Sequence, residues 1–262
     1  MPTVAVPQLS VEDLAVETNL RAVVERVDAL ADEVDVALFP EYALTGFVAD
    51  NRLTTVALGR HGPELDRLRT VAADADCALV VGFVERDGEQ LYNTTAYVPR
   101  DGDSEPTFYR KRHRWGGERD VVRAGDERVV VETPVGKTGL LTCYDLNFVA
   151  ESAAFARDRV DALFVVGAWP AAHSENWRLL LRARALDGVR WVVGAGRTGR
   201  RDLPDAPSTQ YAGRSAVVRP DGMVAAALNR DERDLVATLD PDVLAEQRAF
   251  IPVFDEPSTG DE

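Results

Sequence analysis

Lysine is almost missing from this chain. Its 30 basic residues include only two lysines, Lys111 and Lys137, and arginine supplies the rest. Cysteine is equally scarce. Cys77 and Cys143 alone cannot build a disulfide framework, so a reduced, cytoplasmic protein is the expectation. The three histidines, His61, His113 and His173, do not fall at a metal-ligand spacing such as two histidines four apart, and no metal is expected. No run of some 20 apolar residues occurs, which argues against a membrane span. The start, Met1-Pro2-Thr3-Val4-Ala5-Val6, lacks a basic region followed by a long apolar one and reads as a strand rather than a signal peptide. A net charge of −14 with no basic stripe argues against nucleic acid as a partner. No Pro/Ser-rich linker, repeat or low-complexity tract divides the chain, so one domain over residues 1–262 is expected, with 255–262 as a frayed tail.

The hydrophobic content, 45% over 262 residues, suffices for a sizeable core. Dispersed Asp and Glu with almost no lysine resembles proteins of salt-loving cells, where self-repulsion is screened over roughly 3 Å at molar salt. A GC-rich genome favouring arginine is the competing explanation. Either way, a lysine kept in a chain that avoids lysine needs a reason.

Residues 3–7 alternate as a strand. Ser10 is positioned to cap a helix, with Asp13 in its first turn. Leu20, Val23, Val24, Val27 and Leu30 then form a core-facing helical stripe. Val36 to Phe39, Ala78 to Val84, Ala162 to Val166 and Trp191 to Ala195 are short continuous apolar runs and read as buried strands. Leu91 to Val98 pairs with Ala78 to Val84 across Arg86-Asp87-Gly88. Helical patterns cover Glu64 to Ala75, Phe148 to Arg157, Ser174 to Asp187 and Pro241 to Arg248, and short strands dominate the last third. Alternating strands and helices give an α/β layered fold.

At three places an apolar strand runs into an unusual polar residue: Phe39-Pro40-Glu41, Phe108-Tyr109-Arg110-Lys111 and Leu141-Thr142-Cys143. Ligands and catalysts gather at strand ends in such folds. A carboxylate, a cation and a thiol are what acyl transfer through a thioester requires: the thiol attacks, the carboxylate moves the proton, and the cation steadies the negative oxygen. Cys143 at a strand-to-helix turn would also sit near backbone N–H groups that favour its thiolate. Each residue has a plainer reading. Cys143 could be a buried structural thiol, Glu41 a solvated turn carboxylate, Lys111 one charge in a basic loop, and Glu118 its surface partner at roughly 0–1 kcal/mol. Cys77 starts an apolar strand and has no charged partner identifiable in the sequence.

Taken together, these segments resemble the carbon–nitrogen hydrolase (nitrilase) superfamily. The matching motifs are Pro40-Glu41 with Thr45-Gly46-Phe47, Tyr109-Arg-Lys111-Arg-His113, and Cys143-Tyr-Asp145. Trp177 with Arg182 to Asp187, and Tyr211-Ala-Gly213-Arg-Ser215 with Pro220-Asp-Gly222, support them in the same order. The resemblance implies a four-layer α-β-β-α sandwich, Glu41 as general base, Lys111 as the oxyanion-side cation, Cys143 as nucleophile and the N–H of Tyr144 as a second oxyanion donor. It also implies a second glutamate that orients the lysine and substrate. Glu118 fits that position best, with Glu127 and Glu132 further along. Phe47, Trp169 and Asn176 are candidates for the substrate pocket. No cofactor is implied. Members associate through helices near the cysteine, so a homodimer or higher homo-oligomer is expected, with 148–157 and the C-terminal segment as candidate contacts. Two departures concern the pocket: Phe148-Val149-Ala150-Glu151 replaces the usual Phe-Pro-Glu, and Arg114-Trp115 replaces Leu-Phe after His113.

The superfamily contains nitrilases, amidases, N-carbamoyl amino acid hydrolases and acyl transferases, which the triad alone does not separate. Gly167-Ala-Trp169-Pro170 and the ending Arg248 to Phe254 are similar to omega-amidase-like members, which act on the terminal amide of small dicarboxylic monoamides. A small-molecule amide, or a nitrile, is the expected substrate. A substrate carboxylate would need a cation, and Arg112, Arg114 and Arg197 lie near the motif loops. A nitrilase or carbamoylase using the same triad is the alternative, and a non-catalytic binding protein a lesser one. A cysteine protease lacks a suitable histidine context.

Overall fold

The computed structural model describes residues 1–254; the tail expected to fray, 255–262, lies outside the described residues. In chain order the strands are β1 (Thr3–Gln8), β2 (Val36–Leu38), β3 (Ala78–Asp87), β4 (Gln90–Val98), β5 (Thr107–Arg110), β6 (Val130–Thr133), β7 (Gly136–Thr142), β8 (Ala162–Gly167), β9 (Trp191–Gly196), β10 (Arg200–Arg201), β11 (Thr209–Gln210), β12 (Ala216–Val218), β13 (Val224–Ala227) and β14 (Arg233–Thr238). The α-helices are α1 (Val16–Asp28), α2 (Pro63–Asp74), α3 (Glu118–Val121), α4 (Val149–Arg157), α5 (Ser174–Leu186) and α6 (Pro241–Phe250). None is long and apolar enough to cross a membrane.

Two six-stranded sheets carry the structure, ordered β14-β1-β2-β3-β4-β5 and β13-β12-β9-β8-β7-β6. Each has three parallel strands at its centre, β1-β2-β3 in one and β7-β8-β9 in the other, flanked by antiparallel neighbours. The central strands read as unbroken apolar runs because both of their faces are covered. The period-2 pleat sends alternate residues to opposite layers. Val4, Leu38 and Val80 of the first sheet meet Leu140, Phe164 and Val193 of the second in an inner core. Ala5, Ala37 and Leu79 turn outward to the layer of α1 and α2, where Val23, Val27, Leu65 and Leu68 pack. Leu141, Leu163 and Val192 turn to α4 and α5 and meet Phe155, Trp177 and Leu181. The result is a four-layer α-β-β-α sandwich. Each fully buried large aliphatic or phenyl side chain contributes about 1.5–3 kcal/mol to holding the layers together.

Local details depart from the sequence expectation at the first helix, which begins at Val16 with no side-chain cap rather than at Ser10. Asp13 is unavailable as a first-turn residue because its carboxylate accepts from the Phe47 N–H at 2.8 Å and from the Arg197 guanidinium. The C-terminal ends of β2, β7 and β8 and the end of β5 come together at one edge of the inter-sheet core. Hydrogen bonds there cross from sheet to sheet: Thr95 Oγ1 to Thr142 Oγ1 at 3.0 Å, and the Tyr109 hydroxyl to Asp145 at 2.7 Å.

Candidate active site

Glu41 is delivered by a turn just past β2, in which Tyr42 takes a left-handed backbone conformation (φ +60°). The turn crosses directly over Gly82 of β3. A Cβ at position 82 would lie 2.7–2.8 Å from the Tyr42 nitrogen, the Glu41 Cα and the Pro40 oxygen, so only glycine lets the turn approach. Glu41 is 2% exposed. Its Oε2 accepts the backbone N–H of Ala168 at 2.7 Å, from the loop after β8 of the other sheet. Its Oε1 accepts from Lys111 Nζ at 2.9 Å and from Asn93 Nδ2 at 2.8 Å.

Lys111 follows β5, and its N–H is held by the Asn93 carbonyl at 2.8 Å. Its buried ammonium bridges Glu41 and Glu118, each at 2.9 Å. Glu118 opens α3 and accepts further from the Trp115 N–H at 2.6 Å, from Asn93 Nδ2 at 2.8 Å and from the Tyr42 hydroxyl. Burial works to strip the charge from Lys111, but the Glu118 and Glu41 carboxylates outweigh it and hold the ammonium well above its usual pKa. Burial likewise raises Glu118, but Lys111 together with the Trp115 N–H and the Tyr42 hydroxyl outweighs it and leaves the carboxyl below its usual range. Burial and the two carboxylates push the Tyr42 phenol up, so it stays a donor.

Cys143 is the first residue past β7 and sits at φ +50°, a strained conformation for a residue with a Cβ. The expected turn and helix both follow. A 3-10 turn, Cys143–Asn147, comes first, and α4 follows from Val149. The turn is fastened by Asp145, whose carboxylate accepts from the Thr142 N–H (3.1 Å), the Tyr109 hydroxyl (2.7 Å) and the His113 N–H (3.0 Å); the His113 ring Nδ1 lies 2.8 Å from it. His113 thus braces the cysteine turn and stacks on Phe148. The sequence expectation that this turn favours thiolate is not met. Burial first, then the Glu41 carboxylate, push the Cys143 thiol well above its usual pKa, and Lys111 only partly opposes them.

The thiol lies at the seam of two adjoining cavities, of about 360 and 220 Å³. Glu41, Lys111, Glu118 and Phe47 line the larger. Tyr144, Trp169 and Asn176 line the smaller, and Cys143, Trp115 and Pro170 line both. Glu41, Lys111, Glu118, Phe47, Tyr144, Trp169 and Asn176 thus all line the two cavities that share Cys143. Glu127 and Glu132, the alternatives to Glu118, line neither cavity. Trp177 is fully buried against Gly167 and belongs to the core.

The arginines expected to face the substrate do not. Arg112 pairs with buried Glu151 at 2.6 Å, and Arg114 donates to the Val122 carbonyl at 3.1 Å. Arg197 is buried between Asp13, at 2.8 and 2.9 Å, and the Tyr211 ring, 4.1 Å from its centroid. None of the three lines either cavity; the arginine that does is Arg201. The sequence reading also missed Asn93 and the Ala168 N–H. Asn93 left one trace, as an amide inside the strand run Leu91 to Val98, where Asn is normally depleted. Among the described residues no group of three or more His, Cys, Asp or Glu side chains is placed to hold a metal ion.

Known proteins resemble this chain over most of its length. Residues 3–249 match the carbon-nitrogen hydrolase family profile. The chain is 31% identical over 241 residues to an (R)-stereoselective amidase of Pseudomonas sp., covering 92% of this chain and 86% of that one. It is 29% identical over 233 residues to a 2-oxoglutaramate amidase of Bacillus subtilis, covering 88% and 87%. XC1258 of Xanthomonas campestris, a CN-hydrolase superfamily protein solved with an arsenic adduct in its active site, superposes with a TM-score of 0.87 at 28% identity, over 98% of this chain and 97% of that one. The chain belongs to the carbon–nitrogen hydrolase family, enzymes that act on carbon–nitrogen bonds other than peptide bonds.

Proposed function

We propose that the chain hydrolyses a small carboxylate-bearing amide to its acid and ammonia through a thioester on Cys143, as an omega-amidase-like member of its family. The carrying observation is the buried Glu41–Lys111–Glu118 chain closing on Cys143 at the seam of the two cavities. Likeness to a 2-oxoglutaramate amidase supports the substrate class. Cys143 Sγ attacks the amide carbon while its proton passes to Glu41. The oxygen takes up negative charge, steadied by Lys111 Nζ and the Tyr144 N–H. Collapse breaks the carbon–nitrogen bond, and Glu41 returns the proton to the departing nitrogen, which leaves as ammonia. Water, deprotonated by Glu41, then attacks the thioester and releases the acid and the thiol. Glu118 and Asn93 hold Lys111 and Glu41 in place throughout.

The test is ammonia release from succinamate, 2-oxoglutaramate, neutral amides, nitriles and N-carbamoyl amino acids, comparing wild type with Cys143→Ala. Release from amides that is lost in the variant, with hydroxamate forming when hydroxylamine is added, supports the reading. Release from nitriles or carbamoyl compounds alone would move the function elsewhere in the family. Activity that survives in Cys143→Ala would overturn the mechanism.

We propose two properties alongside. The acidic, lysine-poor composition suits high salt, so Tm should rise between 0.1 and 2 M KCl as screening shortens from about 10 Å to under about 3 Å; a falling Tm would reject this. The exposed apolar side chains of Val149 on α4 and Phe250 on α6 suit a homo-oligomer, which sedimentation showing a monomer would reject.

A further inference from the structure

Arg201 stands in the wall of the larger cavity, on the small hairpin of β10 and β11. Four hydrogen bonds fix its guanidinium: Nε and Nη2 to the Pro207 carbonyl at 3.1 and 3.0 Å, Nη2 to Thr209 Oγ1 at 2.8 Å, and Nη1 to the Phe47 carbonyl at 3.1 Å. Every one of these acceptors is neutral. Among the described residues no carboxylate forms an ion pair with Arg201, although the neighbouring arginines Arg52, Arg197 and Arg200 each have one. A guanidinium has five N–H donors, so four bonds leave one for a ligand. The other cation of the cavity, Lys111, is already shared between Glu41 and Glu118. Arg201 is therefore a fixed, half-buried positive charge without an ion-pair partner among the described residues, in the same cavity as the thiol, with Phe47, Ala49 and Pro170 supplying apolar wall; of the two aspartates in that wall, Asp50 is paired with Arg52 and Asp205 is exposed.

We infer that Arg201 is the specificity-determining residue: it anchors a carboxylate at the end of the substrate opposite the scissile amide, with a short methylene chain between. The inference rests on the amidase reading above and names the residue that selects its substrate. Asp205, exposed on the same wall, would discourage an anion in the absence of Arg201, so the arginine decides the sign of the preferred substrate.

The experiment compares succinamate with butyramide, which replaces the carboxylate by a methyl group, at one fixed KCl concentration. Wild type should prefer succinamate. In Arg201→Gln the succinamate-to-butyramide ratio of kcat/KM should fall roughly 10- to 100-fold, mainly through KM for succinamate. Arg201→Lys, which keeps a charge but loses the planar fork, should recover part of that ratio. Succinate, the product, should inhibit wild type more strongly than Arg201→Gln. Equal losses on both amides would overturn the inference and leave Arg201 a wall residue tying Phe47 to Pro207. Hydrolysis of both amides by wild type without preference, or with preference for an amide bearing an ammonium, would overturn it while the amidase reading stands. Hydrolysis of no amide at all would overturn both.

Discussion

Removing the Lys111 ammonium tests the electrostatics of the site apart from its chemistry. Lys111→Met keeps the length and apolar volume but leaves Glu41 and Glu118, both nearly inaccessible, facing each other across the former cation with only Asn93 donating to both. Two ion pairs at 2.9 Å disappear at once. Breaking a buried pair by deleting one partner costs about 3–5 kcal/mol, which for a chain of this size lowers Tm by on the order of 10 °C. The pH dependence carries the diagnosis. In wild type Glu118 lies below its usual pKa, so its contribution is present above about pH 4.3 and fades as pH falls through the folded value. Lys111 lies above its usual value, so its contribution is complete below about pH 10.4 and fades as pH rises through the folded value. Between these limits wild type is insensitive to both groups. Without the cation, the burial of Glu118 is no longer outweighed, and its carboxyl can stay protonated at pH 5 but must ionise or remain costly at pH 8. Urea unfolding at pH 5 and pH 8 should show a larger deficit for Lys111→Met at pH 8. The neutral set Glu41→Gln, Lys111→Met, Glu118→Gln should regain most of the loss. A deficit below about 1 kcal/mol at pH 8, or one equal at both pH values, would refute the reasoning.

Gly82→Ala should lower Tm by an amount corresponding to about 1–3 kcal/mol and cut kcat at least about tenfold, because the new methyl group meets the backbone that carries Glu41; wild-type values of both would show that the turn moves freely. Asn93→Ala should reduce kcat more than it raises KM, since its amide touches both carboxylates and faces no substrate wall; a pure KM effect would place Asn93 in substrate binding instead. Glu41→Gln should slow iodoacetamide labelling of Cys143 at pH 7, read by mass spectrometry, because burial keeps the thiol protonated and the carboxylate proposed to take up its proton as the new bond forms is gone; labelling at or above the wild-type rate would contradict that assignment.

The layers, and the meeting of Glu41, Lys111 and Cys143 at one edge of them, were legible in the sequence for one reason. Val36 to Phe39 and Thr138 to Thr142 are strands buried on both faces, and a polar residue at the end of such a strand has few plain explanations. Glu41, Lys111 and Cys143 each stand there. What escaped depended on partners far away in the chain. Arg197 sits among motif residues and invites a substrate role, yet Asp13, 184 positions earlier, takes its charge. That same partnership removed Asp13 from the first helix and moved the helix start to Val16. Arg201 carried no local signal: it stands out for having no ion-pair partner among the described residues, which only the folded hairpin reveals. Asn93 was hidden because a strand's period reports which face a residue points to, and at the open edge of two sheets that face meets the Glu41–Lys111–Glu118 cluster rather than the apolar core.

In the proposed mechanism, the charge balance of the buried cluster decides how the thiol acts. With Glu41 and Glu118 as carboxylates and Lys111 as an ammonium, the cluster carries one net negative charge on side chains that are nearly inaccessible. A resting thiolate with Glu41 still ionised would add a second, which burial and the Glu41 carboxylate oppose more strongly than Lys111 favours it. A strained turn and a five-residue 3-10 helix offer too little dipole to offset that. Transfer of the Cys143 proton to Glu41 during attack avoids the second charge. Glu41 becomes neutral as the substrate oxygen becomes negative, and the net charge stays at one while its location shifts toward the oxyanion. Lys111, already fixed between the two glutamates, then loses part of one partner and gains the oxyanion in its place. The arrangement therefore favours a carboxylate that accepts the proton in step with bond formation over a thiol ionised beforehand.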